Sequence, residues 1–134
     1  MAANQAQVLI VSVPGRIYET LQTLLNSLPG LEVQHAVKGH WPSPGYCDQK
    51  TDLVLLDCGR PDGELMADLA WIRTNWPLTR CIVLADRACQ LQAALSAGAD
   101  AVLLKGYSIG EFFKTIRYLL KTKIGAGLES TLPR

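Results

Sequence analysis

Thr51-Asp-Leu-Val-Leu-Leu-Asp-Cys-Gly-Arg-Pro-Asp-Gly63 is the stretch on which the fold turns. Leu53 to Leu56 form a short apolar run of β-capable length, and a carboxylate, Asp57, follows at once. Gly59 and the cluster Pro61-Asp62-Gly63 then break the strand and open a helix. A buried parallel strand with an acid at its C-terminal end is how an open α/β sheet builds a site, because ligands gather outside the strand C-termini. What Asp57 can do depends on what the other strand ends bring to it.

The chain has 134 residues, enough for one domain with a full core. With 49% hydrophobic and 19% charged residues it reads as globular, neither disordered nor fibrous. A formal net charge of +1 gives no bulk attraction to nucleic acid or to an anionic membrane. No apolar run has the length of a bilayer span, and the N-terminus lacks the basic-then-apolar order of a signal peptide. Cys47, Cys58, Cys81 and Cys89 show none of the paired spacings of a zinc site. Cys58 and Cys81 flank apolar runs, where small buried thiols are common. The expectation is a cytoplasmic protein with reduced cysteines and no metal site.

Working outward, strand and helix patterns alternate. Gln7 to Val11 reads as a central strand, and Pro14-Gly15 ends it. Ile17, Leu21, Leu24, Leu25 and Leu28 fall on one face of a helix that Pro29-Gly30 stops. Leu31 to Val37 alternates like a half-exposed strand. Lys38 to Lys50 holds Gly39, Pro42, Pro44 and Gly45, so the second helix is expected to be degraded or irregular. Beyond Asp57, a helix over Glu64 to Trp76 places Leu65, Leu69, Ile72 and Trp76 on one stripe. Cys81 to Ala85, a short helix over Cys89 to Ala97, and a strand over Ala101 to Leu104 come next. Ser108 and Glu111 have capping-box spacing and open a last helix through about Lys121. Five strands alternating with helices, linked by right-handed crossovers, give a doubly wound five-stranded parallel sheet in the order 2-1-3-4-5. The expected domain is 1–122, with 123–134 a flexible tail or linker stub.

Three segments now stand together: Val8-Leu-Ile-Val11, Asp52-Leu-Val-Leu-Leu-Asp57 with Pro61-Asp-Gly63, and Ala97-Gly-Ala-Asp-Ala-Val-Leu-Leu-Lys105. In these the chain resembles the receiver domain of two-component response regulators, over about residues 6 to 122. The resemblance implies the flavodoxin-like fold just derived. It also implies a scheme of work. An aspartate ending the third strand takes up a phosphoryl group. Two acids ending the first strand hold Mg²⁺, a hard cation that needs oxygen ligands. A Thr or Ser ending the fourth strand and a Lys ending the fifth contact the phosphoryl oxygens. An aromatic three residues before that Lys changes rotamer.

Carried over residue by residue, Asp57 occupies the acceptor position and Lys105 the phosphate-sensing one. The acidic pair is replaced by Ser12 and Val13, the hydroxyl position falls on Ala85 (with Leu84 next), and the switch aromatic is Val102. Without the acids, Mg²⁺ is poorly held, and a phosphoryl donor nears Asp57 against uncompensated like charge. The expectation is a degenerate pseudo-receiver in which Asp57 is not a working acceptor and no cofactor is bound. Asp57 then pairs with Lys105, with Arg16 as a possible further partner. Asp62 and Asp86 are assigned to turn chemistry, with displaced metal ligation as the other reading.

Function is expected through protein contact. The resemblance points to the face of the penultimate helix, last strand and last helix, here among Gln90 to Ser96 and Gly106 to Lys123, with Leu91, Leu95, Lys114, Arg117 and Lys121 as candidate contact residues. Partners of that kind are a sensor kinase, an output domain or a second copy, with no direct nucleic-acid or membrane contact. No nucleophile–base pair supports an enzyme. Two rivals stay open: a receiver phosphorylated on Asp57 with Mg²⁺, and a small anion- or ligand-binding α/β module. Ser12-Val-Pro-Gly-Arg16 lacks the glycine spacing and Lys of a phosphate loop. His35 and His40 imply no metal pair, and Trp71 falls off its helix stripe, where partial exposure is expected.

Overall fold

A computed structural model describes residues 6–12, 16–37, 51–57 and 62–124. In chain order the elements are β1 (Ala6–Ser12), α1 (Arg16–Asn26), β2 (Leu31–Val37), β3 (Leu53–Asp57), α2 (Asp62–Asn75), β4 (Arg80–Ala85), α3 (Ala88–Ser96), β5 (Ala101–Leu104) and α4 (Ile109–Ile124). The five strands form one sheet in the order β2-β1-β3-β4-β5, every pair parallel. β1 lies inside the sheet: Val8 pairs with Val33 of β2 on one edge and with Leu53 of β3 on the other.

The inner strands carry apolar residues on both faces, because helices cover both. Alternation divides them into two cores. On the first face, Val8, Ile10, Leu53, Leu55, Ile82, Leu84 and Leu103 meet Leu21 and Leu25 of α1 and Phe112, Ile116 and Leu120 of α4. On the second, Leu9, Val11, Val54, Leu56, Cys81 and Val83 meet Leu65, Leu69 and Ile72 of α2 and Ala94 of α3. Each fully buried Leu or Ile contributes roughly 1.5–3 kcal/mol relative to exposure, so both layers are needed. Side-chain parity therefore decides which helix layer each strand end addresses.

The ends of the strands remote from Asp57 are tied by acids. Asp52 Oδ2 accepts from Gln7 N at 2.7 Å, and Asp100 Oδ2 accepts from Cys81 N at 2.7 Å. Arg73 of α2 donates to the Thr79 carbonyl and lies 3.8 Å from Asp100. Its stem crosses Gly98, where an added Cβ would stand 3.0 Å from Cγ. Gly98 has φ +110°, a conformation glycine adopts without strain.

Several details differ from the sequence expectations. α3 begins at Ala88, one residue early, and α4 runs to Ile124, past its expected end at about Lys121. Trp71 is partly exposed, as its place off the helix stripe implies. It is half-buried, packs against the second core and meets Trp76 edge to face at 5.1 Å between centroids. The buried arc of α2 is broader than the Leu65, Leu69 and Ile72 stripe and includes Asp68. The Ser108–Glu111 box is formed in both directions, Glu111 N donating to Ser108 Oγ at 3.0 Å and Ser108 N to Glu111 Oε1 at 3.3 Å. The irregular second helix expected over 38–50, the tail after Ile124, Val13, Cys58 and the side chains of Arg16 and Lys121 lie outside the described residues. Among the described residues no helix is long and apolar enough to cross a membrane.

Candidate functional site

Parity brings four polar groups to one rim. Ser12 continues the alternation of Val8 and Ile10, Asp57 that of Leu53 and Leu55, and Lys105 that of Leu103, all on the α1/α4 side of the sheet. The fourth is Asp86, which follows Ile82 and Leu84 in the same alternation. Ser12 and Asp57 stand one residue beyond the paired Val11 and Leu56. Both are buried, Ser12 1% and Asp57 2% exposed, so each needs polar company.

Lys105 supplies it for Asp57. Its ammonium lies 2.9 Å from Asp57 Oδ1 and 3.1 Å from Asp86 Oδ1. At 2.9 Å this is a close ionic contact, and Asp57 Oδ1 has no other hydrogen-bond partner among the described residues. Burial draws the Lys105 pKa down, but contacts with Asp57 and Asp86 and the charges they carry outweigh it, and the net shift is upward. Lys105 stays an ammonium at neutral pH. Its backbone N also donates to the Ala85 carbonyl at 2.8 Å, which fixes the end of β5 against the end of β4.

The residue that reaches this rim from β4 is thus Asp86. Ala85, the position expected to face the site, shares the alternation of Cys81 and Val83 and is fully buried in the opposite core. One step along a strand changes the face. Asp86 is read from sequence as a turn residue, and the turn does exist: the backbone N–H groups of Asp86 and Arg87 donate to Gln90 Oε1 at 2.9 and 3.1 Å. Gln90 is therefore a buried cap of the β4–α3 turn, 6% exposed, where the sequence placed it on the contact surface. Val102 is half-buried against the α2/α3 core.

Mg²⁺ requires several oxygen ligands in near-octahedral geometry. Among the described residues the rim offers one buried carboxylate already facing an ammonium, one neutral hydroxyl, and Asp86 on the same ammonium. That arrangement does not fit a hard cation that holds several oxygens in octahedral geometry. Among the described residues no group of three or more His, Cys, Asp or Glu is gathered.

Beside the rim runs a groove of about 420 Å³ between α3 and the start of α4, lined by Leu91, Val102, Leu104, Lys105, Tyr107 and Glu111 among others. Tyr107 stacks on Phe112 at 5.8 Å, and burial raises its phenol pKa, with opposing smaller effects of Lys105 and Asp57. Leu104, which lines it, is 38% exposed, and Leu95 of α3 and Ile109 of α4 are 43% and 58% exposed. Of the expected contact residues, Leu91 lines the groove, while Leu95 and Lys114 are exposed. Arg117 is half-buried with its guanidinium 5.7 Å over the Phe113 ring.

No protein-family profile matches the chain. It is similar to the KDP operon transcriptional regulatory protein KdpE of Escherichia coli (strain K12), 39% identical over 75 residues. That match covers 54% of this chain and 33% of the relative, so the chain spans about a third of the length of that curated protein. Among solved structures, the signal receiver domain of an HD domain-containing protein from Pseudomonas fluorescens Pf-5 has a TM-score of 0.77 at 23% identity, over 90% of each chain. A two-component response regulator from Clostridium difficile has 0.75 at 18%, over 87% of this chain and 97% of that one. The beryllofluoride-activated NtrC4 receiver domain dimer has 0.75 at 23%, over 87% and 98%.

Proposed function

From the premise that this chain has the fold of a response-regulator receiver, we propose that it is a non-enzymatic signalling module acting by protein contact, without Mg²⁺-dependent phosphorylation of Asp57. One observation carries the reading: the Asp57 carboxylate is already answered by Lys105, whose ammonium is shared with Asp86. β1 ends on the neutral Ser12, and the acceptor therefore has no acid pair beside it among the described residues. A donor phosphate reaching Asp57 meets two carboxylates and one ammonium already committed to both. The energy that a metal would supply in neutralising that approach is missing from the donor set.

The contact face we assign lies on α3, the end of β5 and α4, where Leu95, Leu104, Ile109 and Lys114 are exposed. Exposed aliphatic side chains suit a protein partner better than a nucleic acid. The partner class is a sensor kinase, an output domain or a second copy of the chain, in the cytoplasm.

The test is incubation with acetyl phosphate and Mg²⁺, followed by intact mass and acid treatment. No acid-labile adduct is expected. Stoichiometric phosphorylation removed by Asp57→Asn would instead establish the rival reading of a phosphorylatable receiver.

A further inference from the structure

Lys105 holds two carboxylates that belong to different elements. Asp57 ends β3, and Asp86 lies in the turn that leads from β4 into α3. The same turn is fastened a second time, from the helix side, by Gln90 Oε1 on the backbone N–H groups of Asp86 and Arg87. Gln90 is buried in the first turn of α3, and the next residue, Leu91, lines the groove. A continuous chain of polar contacts thus runs from β3 through β5 and the turn to α3. Its weakest point is Asp86, whose side chain is 47% exposed while that of Asp57 is 3% exposed.

We propose that Asp86 is a latch: its carboxylate on Lys105 holds the β4–α3 turn, and with it the first turn of α3 and the groove wall, in one conformation. The inference rests on the reading above that no phosphoryl group occupies Lys105. Turn chemistry alone does not account for Asp86, because its side chain is directed across to β5 and the turn's backbone donors are satisfied by Gln90. The latch is electrostatic and half in water, so salt weakens it. Its release is local: Asp57 keeps Lys105, and the cores on both faces remain closed.

Hydrogen exchange of the full chain, read by mass spectrometry, tests it. Asp86→Asn keeps size and a polar end but removes the charge. Exchange of the amides of residues 86–91 is expected to rise roughly two- to five-fold, the range an exposed ion pair commands, while residues 53–57 are unchanged. About 1 M NaCl should produce much of that rise in the unsubstituted chain and little more in the variant. The same substitution is then made in an Asp57→Asn/Lys105→Gln background, which leaves no buried charge stranded. There it should do nothing. Unchanged exchange in Asp86→Asn, or an equal rise without the Lys105 ammonium, overturns the latch. Phosphorylation of Asp57 by acetyl phosphate would overturn the functional reading alone, since the exchange is measured on the unphosphorylated chain.

Discussion

The Lys105 ammonium lies 2.9 Å from Oδ1 of Asp57, a carboxylate only 3% exposed, and so joins the ends of β5 and β3 across β4. The pair is asymmetric in burial. Removing the cation leaves a charge sealed in the sheet, whereas neutralising Asp57 leaves an ammonium with Asp86 and solvent still at hand.

Lys105→Gln is therefore expected to destabilise the fold by on the order of 3 kcal/mol, as a buried carboxylate loses its counter-charge. Asp57→Asn should cost about 1 kcal/mol. The double substitution should cost clearly less than the two added together, because the residues are in contact. Urea denaturation of the four proteins measures this cycle, and additive costs would mean that the ion pair contributes nothing.

Alkaline pH probes two other groups. Cys81 is fully buried, and burial pushes its thiol up from 9.0 to about 12, with opposing effects of Arg73 and Asp100. A folded pKa above the unfolded one means that the folded chain keeps its proton longer, so stability is full below pH 9.0 and falls as pH rises toward 12. The slope approaches about 1.4 kcal/mol per pH unit between pH 9 and pH 10.5. Cys81→Ala should flatten that segment. The raised pKa of Lys105 has the same sign but acts only above its ordinary 10.5, where the ion pair is lost as pH rises through the folded value.

Thiol accessibility separates the described cysteines. Cys89 is exposed on α3 and Cys81 is buried. Peptide-level mass spectrometry after brief alkylation of the native chain should find Cys89 modified and Cys81 spared. Denaturant should equalise them.

Two glycines with the same backbone sign should respond differently. Gly106 has φ +103° with nothing within 4 Å of an added Cβ, so Gly106→Ala should cost about 1 kcal/mol of backbone strain alone. Gly98 has φ +110° and the Arg73 stem 3.0 Å away. Since Arg73 is tied to Thr79 and Asp100, Gly98→Ala should cost about 2–3 kcal/mol. Thermal melts rank the two, and equal losses would mean that Arg73 yields freely.

Ser108→Ala should lower stability by about 1 kcal/mol through the lost cap on α4. Glu111→Ala should cost only a few tenths, because its return contact is long at 3.3 Å.

The apolar runs around Ile10, Leu55 and Val83 are enough to place the inner strands, and the alternation of strand with helix is enough to order them. Both signals are local and strong, since burial on two faces leaves no room for polar residues. The rim is harder. Asp86 has the chemistry of a turn residue in one dimension, and nothing in its neighbours says that a lysine stem from β5 ends beside it. Gln90 is polar on a helix and reads as exposed, yet it caps a turn from within. Ala85 is the better match by counting, but counting along a strand end ignores which way the side chain points. In each case the missing information is a contact between residues far apart in the chain.

β1 has its own consequence for how the chain is assembled. One edge of that strand is covered by β2 from nearby sequence, but the other waits for β3, and Gln7 N meets Asp52 across 45 residues. Until residue 53 is available, the stretch 6–37 presents an apolar strand with a bare row of donors and acceptors. Loop closure of that span must precede the reward of pairing, which makes folding slow relative to a helical bundle of this size. A chain interrupted before Leu53 is left with an open edge suited to pairing with another copy, so the half-made protein should be the form most prone to aggregate.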